Sequence, residues 1–302
     1  MKPLHYYRVL ITIILLSQVS FAQQPTAQPV SSLTITTETN AIVWVDEVRR
    51  GKTDATGKLA LTKISAGRHT LRVRAEGFKE ITMPLTVRRG QVPVRLVRTS
   101  DEAELAFQRA ESARESARDD EARQKAVEAY RRTLKLRPAF PAARVGLARV
   151  LLDLNEIKAA LAEIESARRS RPVFPEASAV EGRIYREGAF EDEAINSFRR
   201  AIREARGFQP EARVGLARAL EERGEYEEAI AEFRKAIEQL SDSEPIIYQL
   251  MGAAYEKIQK NKEAVEAYEK YLALAPNGSM APALRSIVEQ LKRDAAGQEI
   301  VP

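Results

Sequence analysis

The chain has 302 residues, 44% hydrophobic and 30% charged, which is enough apolar content for folded domains and too much for a disordered chain. It contains no cysteine and only two histidines, His5 and His69, so disulfides, thiolate metal sites, cysteine nucleophiles and cysteine-linked lipid are excluded, and metal or acid–base chemistry through imidazole is not expected. The net charge of +5 hides an asymmetry: residues 23–100 hold 13 Lys and Arg against 6 Asp and Glu, whereas residues 101–302 hold 33 against 37.

In chain order, the first 22 residues read as an export signal. Lys2 and Arg8 precede an apolar run from Val9, and Ser20, Phe21 and Ala22 supply the small residues of a cleavage site. The 14 residues from Val9 to Ala22 fall short of the roughly 20 needed for a membrane-spanning helix, and no later segment is apolar enough, so no transmembrane segment is expected in the mature chain. An exported, periplasmic or cell-envelope protein is expected, and nucleic acid is not expected as its partner. A polar linker at 23–30, with Pro25 and Pro29, follows.

From 31 to 98 the pattern turns to short β-branched runs broken by turn residues, at 33–37, 41–45, 59–62, 69–75, 81–87 and 92–97. Leu71, Val73 and Ala75 alternate with Arg72 and Arg74, which puts the first set toward a core and the arginines toward water. Gly57, Gly67, Gly77 and Gly90 fall between the runs. A small antiparallel β-sandwich is expected. Trp44, inside an apolar strand, reads as core. Gly51-Lys52-Thr53 echoes the end of a phosphate-binding loop, but Asp46 stands where that loop needs its first glycine.

The segments Val43-Trp44-Val45-Asp46, Gly51-Lys52-Thr53, Ser65 to Leu71 and Glu76-Gly77-Phe78 resemble a PEGA-type module or its carboxypeptidase-regulatory-like relative over 31–98. Glu38-Thr39-Asn40-Ala41 stands where the eponymous four letters are usual, and Glu47 replaces a customary glycine. The resemblance implies a non-catalytic accessory module of an exported protein. Its positive charge suits peptidoglycan or another anionic glycan.

After a linker at 99–106 a longer period begins. Ala126, Ala160, Ala194, Ala229 and Ala264 recur every 34 or 35 residues, each followed four later by Tyr130, Ile164, Phe198, Phe233 or Tyr268. Small and large residues one turn apart give a helix a notch and a knob for a close neighbour. The word Ala-Arg-Val-Gly-Leu-Ala-Arg occurs at 143–149 and again at 212–218, two periods on. This resembles the tetratricopeptide repeat, a helix-turn-helix of 34 residues.

The resemblance gives five units, 107–140, 141–174, 175–209, 210–244 and 245–278, in an α-helical solenoid. Pro138, Pro172 and Pro276 mark unit ends, 279–294 reads as a terminal capping helix and 295–302 as a tail. The first unit lacks large residues at Ala113 and Ala117, and Glu181 replaces the usual leucine, so the third unit is expected to pack less well. The fold class is therefore multidomain: a β-sandwich followed by stacked helix pairs.

Stacked pairs curve, and their first helices line the concave side. There Arg149, Arg183 and Arg218 hold equivalent turns, with Arg186 one turn on, in a ladder suited to an acidic segment. Asp153, Glu187 and Glu222, each four residues later, offer the alternative of internal neutralisation. The matching turns carry no asparagines, so the carboxylate-clamp type of repeat is not reproduced. The glutamate-rich stretch 221–228 reads as a solvated turn. The expected role is a non-enzymatic scaffold without cofactors or metals, binding a protein or peptide partner. The alternative is a structural protein whose basic β module holds envelope polymer.

Overall fold

The computed structural model describes residues 33–46, 48–61, 64, 68–86, 90–240 and 242–298. The export signal (1–22), the linker (23–30) and the end of the expected tail lie outside the described residues.

The β-branched runs form strands because alternate residues find one shared interior. Strands β1 (Leu33–Thr36), β4 (Lys58–Leu61) and β7 (Gly90–Pro93) make one sheet in the order β4-β1-β7. Strands β2 (Ile42–Val45), β3 (Val48–Lys52), β5 (Arg68–Arg74) and β6 (Ile81–Thr86) make the other, in the order β3-β2-β5-β6. Leu33, Ile35, Val43, Val45, Leu71 and Val73 meet between the sheets and are almost wholly buried. The turn into β4 is set by the Asp54 carboxylate, which accepts from the Thr56 and Lys58 N–H groups at 2.8 and 3.0 Å. It also requires Gly57, whose φ is +74° and where a Cβ would stand 2.1 Å from the Thr37 carbonyl oxygen.

The sandwich departs from expectation in two respects. Strand β3 had no counterpart in the pattern. β7 begins at Gly90, earlier than expected, and pairs with β1 in parallel rather than antiparallel. Trp44 is buried as expected, at 9% exposed, on the opposite sheet face from Val43 and Val45, with the Arg72 guanidinium 4.1 Å above its ring.

Eleven helices follow among the described residues: α1 (Glu102–Ser116), α2 (Asp120–Leu136), α3 (Pro141–Asp153), α4 (Ile157–Ser170), α5 (Pro175–Glu187), α6 (Glu191–Glu204), α7 (Pro210–Glu222), α8 (Tyr226–Leu240), α9 (Ile246–Lys257), α10 (Asn261–Leu274) and α11 (Ala281–Gln298). Asp101 and Asp119 cap α1 and α2 by accepting from backbone N–H groups of their first turns. Pro141, Pro175 and Pro210 open α3, α5 and α7, where a missing N–H costs nothing. The turn inside four of the pairs holds one left-handed residue, at Asn155, Ala189, Gly224 and Gln259.

The helices pack as five antiparallel pairs, α1–α2 to α9–α10, with α11 closing the end through Leu284, Val288 and Leu291. Ala126, Ala160, Ala194, Ala229 and Ala264 are 0% exposed, and their partners from Tyr130 to Tyr268 are at most 2% exposed, so the repeat period is the period of the core. Three of the knobs, Tyr130, Phe198 and Tyr268, meet an opposing glycine: a Cβ at Gly146 would lie 2.5 Å from the Tyr130 ring, and one at Gly252 would lie 2.4 Å from the Tyr268 ring.

Helix boundaries differ from the sequence reading at both ends. α1 starts at Glu102, inside the expected linker, because Asp101 caps it and Phe107 and Ala110 bury its inner face. It makes an ordinary pair with α2. α11 continues to Gln298, through the first four residues expected to be tail. Glu181 does not leave a poorly packed place, since Arg200 on α6 pairs with its carboxylate.

Candidate binding groove

First helices of successive pairs touch one another, α1 on α3, α3 on α5 and α5 on α7, which puts them on the inner side of the curve. The β-sandwich sits over this inner side. A cavity of about 1320 Å³ separates the outer face of the β3-β2-β5-β6 sheet from the opening turns of the first helices. Trp44, Arg72 and Thr82 form its sheet wall, and Gly146, Glu176, Glu211 and Val214 belong to its helical wall.

Arg72 and Arg74 were expected to face water, but alternation fixes only the face on which they lie, and the solenoid covers that face. Arg74 is 8% exposed, bonded to Glu80 at 2.7 Å, 3.3 Å from Glu111 on α1, and stacked 4.9 Å over Phe107. Burial acts against its charge, yet Glu80 and Glu111 outweigh it and raise its pKa.

A row of phenylalanines lies along the cavity rim and escaped the sequence reading. Phe140, Phe174 and Phe208 stand just ahead of α3, α5 and α7, and all three border the cavity. Arg137 stacks on Phe140 at 4.7 Å and Arg171 on Phe174 at 4.3 Å. Their strict 34-residue spacing was the available signal.

The four arginines of the expected ladder divide into two groups. Arg149 projects into the cavity and donates two hydrogen bonds to Glu211, at 2.9 and 3.2 Å, with Glu176 3.5 Å away. Burial disfavours the Glu211 carboxylate, but Arg149 outweighs it and lowers its pKa. Glu176 keeps a raised pKa because burial is reinforced by Glu111 and Glu211 and only partly offset by Arg149. Arg183 is engaged by Glu187 and by Asp153 of the preceding pair, both at 2.9 Å.

Arg186 and Arg218 are different. The Arg186 side chain is 12% exposed, and its nearest carboxylates, Glu187 and Glu222, stand 3.9 and 4.0 Å away, beyond hydrogen-bond reach. Burial and then the neighbouring Arg218 charge lower its pKa. Arg218 is exposed and forms no hydrogen bond or ion pair among the described residues. Of the expected internal pairs, Arg183–Glu187 is formed, while Arg149 reaches past Asp153 to other repeats. Burial pushes the Glu221 carboxyl, one turn after Arg218, up to about 7. Within the stretch 221–228 Arg223 forms an ion pair with Glu225 at 2.7 Å. Among the described residues no group of three or more His, Asp and Glu is placed to hold a metal ion.

The family comparisons agree with the two parts of the fold. Tetratricopeptide repeats match residues 117–184, 180–245 and 246–277, and the PEGA domain matches residues 30–99. The chain is a tetratricopeptide-repeat protein with an N-terminal PEGA domain.

Among solved structures, a tetratricopeptide protein of Thermus thermophilus, TTC0263, is 19% identical and covers 63% of this chain and 98% of its own, with a TM-score of 0.51. MamA from Desulfovibrio magneticus is 17% identical over 60% of this chain and 98% of its own, with a TM-score of 0.49. YrrB, a tetratricopeptide protein with an unusual peptide-binding site, is 19% identical over 62% and 94% of the two chains, with a TM-score of 0.46. The first of these likenesses shows the fold of the repeats. No match to a curated protein was found. No helix among the described residues is long and apolar enough to cross a membrane.

Proposed function

We propose that this chain is an exported, non-enzymatic scaffold of the bacterial cell envelope that holds an acidic protein segment along the inner face of its repeats. The observation that carries the reading is the contrast within the arginine row. Arg149 and Arg183 are consumed by internal carboxylates, whereas Arg218 has no such partner and its charge acts on the adjacent Arg186. Two guanidinium groups of one sign, held together at a cost, are stabilised by an incoming carboxylate.

Tetratricopeptide repeats are interaction scaffolds, which supports the class of partner. PEGA domains are typically extracytoplasmic, and the first 22 residues carry an export pattern, which together support the location. A second reading gives the PEGA domain peptidoglycan or another anionic glycan as ligand. It ranks lower because Arg49, Lys52, Arg72 and Arg74 already face Glu115, Glu80 and Glu111.

The test is photo-crosslinking in the native cell. A photoreactive residue at Glu222, on the inner face, should capture a discrete partner in the envelope fraction, and Arg218→Ala should abolish that adduct. Recovery in the cytoplasm, or equal capture from a residue at Glu165 on the outer helix α4, overturns the reading.

A further inference from the structure

The PEGA domain and the solenoid meet without sharing a core. Among the described residues the apolar cluster of the sandwich contains no helical residue, and Val48 is the one apolar sandwich residue packed against the helical clusters. The rest of the seam mixes charged and aromatic side chains around a hollow of about 1320 Å³.

Near the linker the contacts are buried: Arg74 stands 3.3 Å from Glu111 and stacks over Phe107. The Gln108 side chain accepts from the Gly77 N–H at 3.0 Å and donates to the Phe78 carbonyl at 2.7 Å, beside the Thr99 N–H bond to Gly77. Away from the linker the contacts are ionic. Arg49 reaches Glu115 with both terminal nitrogens, at 3.2 and 3.3 Å, and Lys52 stands 3.8 Å from the same carboxylate. Farther along, Arg50 faces Glu244 through space, and its buried Nε has no hydrogen-bond partner among the described residues.

This arrangement is a pivot on one side and a latch on the other. We infer that the PEGA domain is a lid over the opening turns of α3, α5 and α7, latched by Arg49 and Lys52 on Glu115, and that a partner reaches the phenylalanine row at Phe140, Phe174 and Phe208 only when the latch releases. Separate cores let each domain stay folded when the seam opens, and relative movement is the ordinary behaviour of two domains joined by a small interface around a hollow. Half-exposed ion pairs are weak and salt-sensitive, which suits a latch better than a permanent joint. The Glu115 carboxylate has no other partner among the described residues, so altering it disturbs the latch and little else, unlike Glu111, which also holds Arg114 and Tyr130. The inference deepens the scaffold reading, but its test needs no partner.

Because the chain lacks cysteine, spin labels can be placed on cysteines at exposed Ala55 and Lys158 in the full-length protein. Pulsed electron-electron distance measurement should give one narrow distribution at low salt. Glu115→Gln and Arg49→Glu should each raise the population at longer distance a few-fold, 1 M salt should do likewise, and Arg49→Glu with Glu115→Arg should restore the narrow form. A distribution that is broad in the wild type, or unchanged in every variant and at both salts, overturns the lid. Normal lid behaviour with no acidic ligand at Arg218 would count against the scaffold reading alone.

Discussion

Arg149 on α3 holds Glu211 on α7 through two hydrogen bonds across 62 residues of sequence, spanning the intervening repeat. Two first helices that are not sequence neighbours are thereby tied on the inner side of the curve, and Glu176 of the repeat between them stands 3.5 Å from the same guanidinium.

Arg149→Met keeps the stem but leaves Glu176 and Glu211 facing each other. The substitution should destabilise the solenoid by about 2 kcal/mol, between the values for an exposed and a buried pair. Glu211 has a lowered pKa, so its share of stability is present above the unfolded carboxyl value of about 4.3 and is lost as pH falls through the folded one. Urea melts of the two proteins should therefore differ at neutral pH, and the difference should shrink as pH falls below the unfolded carboxyl value.

Phe198 is gripped from two sides. A Cβ at Gly182 on α5 would stand 2.7 Å from its ring, and one at Gly215 on α7 would stand 2.3 Å away. In an open helix, Gly→Ala adds about 1 kcal/mol of stability. Here Gly215→Ala should remove about 1 to 3 kcal/mol by overpacking, and Phe198→Leu in the same chain should recover part of it. Thermal melts of the single and double variants check the sign.

Ala189 ends the turn between α5 and α6 with φ at 59°, where the equivalent place two helices later is Gly224. An L-residue with a Cβ pays about 1 to 2 kcal/mol in that region. Ala189→Gly should therefore stabilise the protein by about 1 kcal/mol, despite the looser unfolded chain. A lower midpoint in denaturant would show that the turn is not strained.

Glu221 supplies a pH dependence. Its carboxyl is pushed up to about 7 by burial, reinforced by Glu222 and opposed by Arg218. Because the folded value is raised, its contribution to stability is full below about pH 4.3 and is lost as pH rises through 7. The neutral form also leaves Arg218 uncompensated, so an acidic peptide should bind more tightly at pH 6 than at pH 8. Glu221→Gln should flatten that difference, which a carboxyl-labelled NMR titration can assign to this residue.

The helical repeats were legible because their signal is redundant. Ala126 and its four successors, with a knob one turn later, say the same thing five times, and each lies where the period places it. β3 was not legible: an edge strand of sequence Val-Arg-Arg-Gly-Lys shows water on both faces and carries no alternation. The place of Trp44 at the domain seam and the burial of Arg74 were hidden for another reason. Strand alternation tells which side of a sheet a residue takes, but not that a second domain covers that side. The Arg149–Glu211 bond was hidden because i,i+4 spacing describes one helix, whereas curvature decides which acid two repeats away comes within reach.

The scaffold reading depends most directly on Arg218 and Arg186 acting together on an acidic chain. Fluorescence anisotropy of a labelled hexaglutamate peptide with the full-length protein measures this at low and moderate salt. The expected result is saturable binding, weakened about tenfold or more by Arg186→Ala with Arg218→Ala, as for loss of charge-assisted bonds, with a shallower salt dependence. Arg183→Ala, whose guanidinium is already taken, should change it much less. Equal affinity in the double variant and the wild type, or no binding by either, would contradict the account.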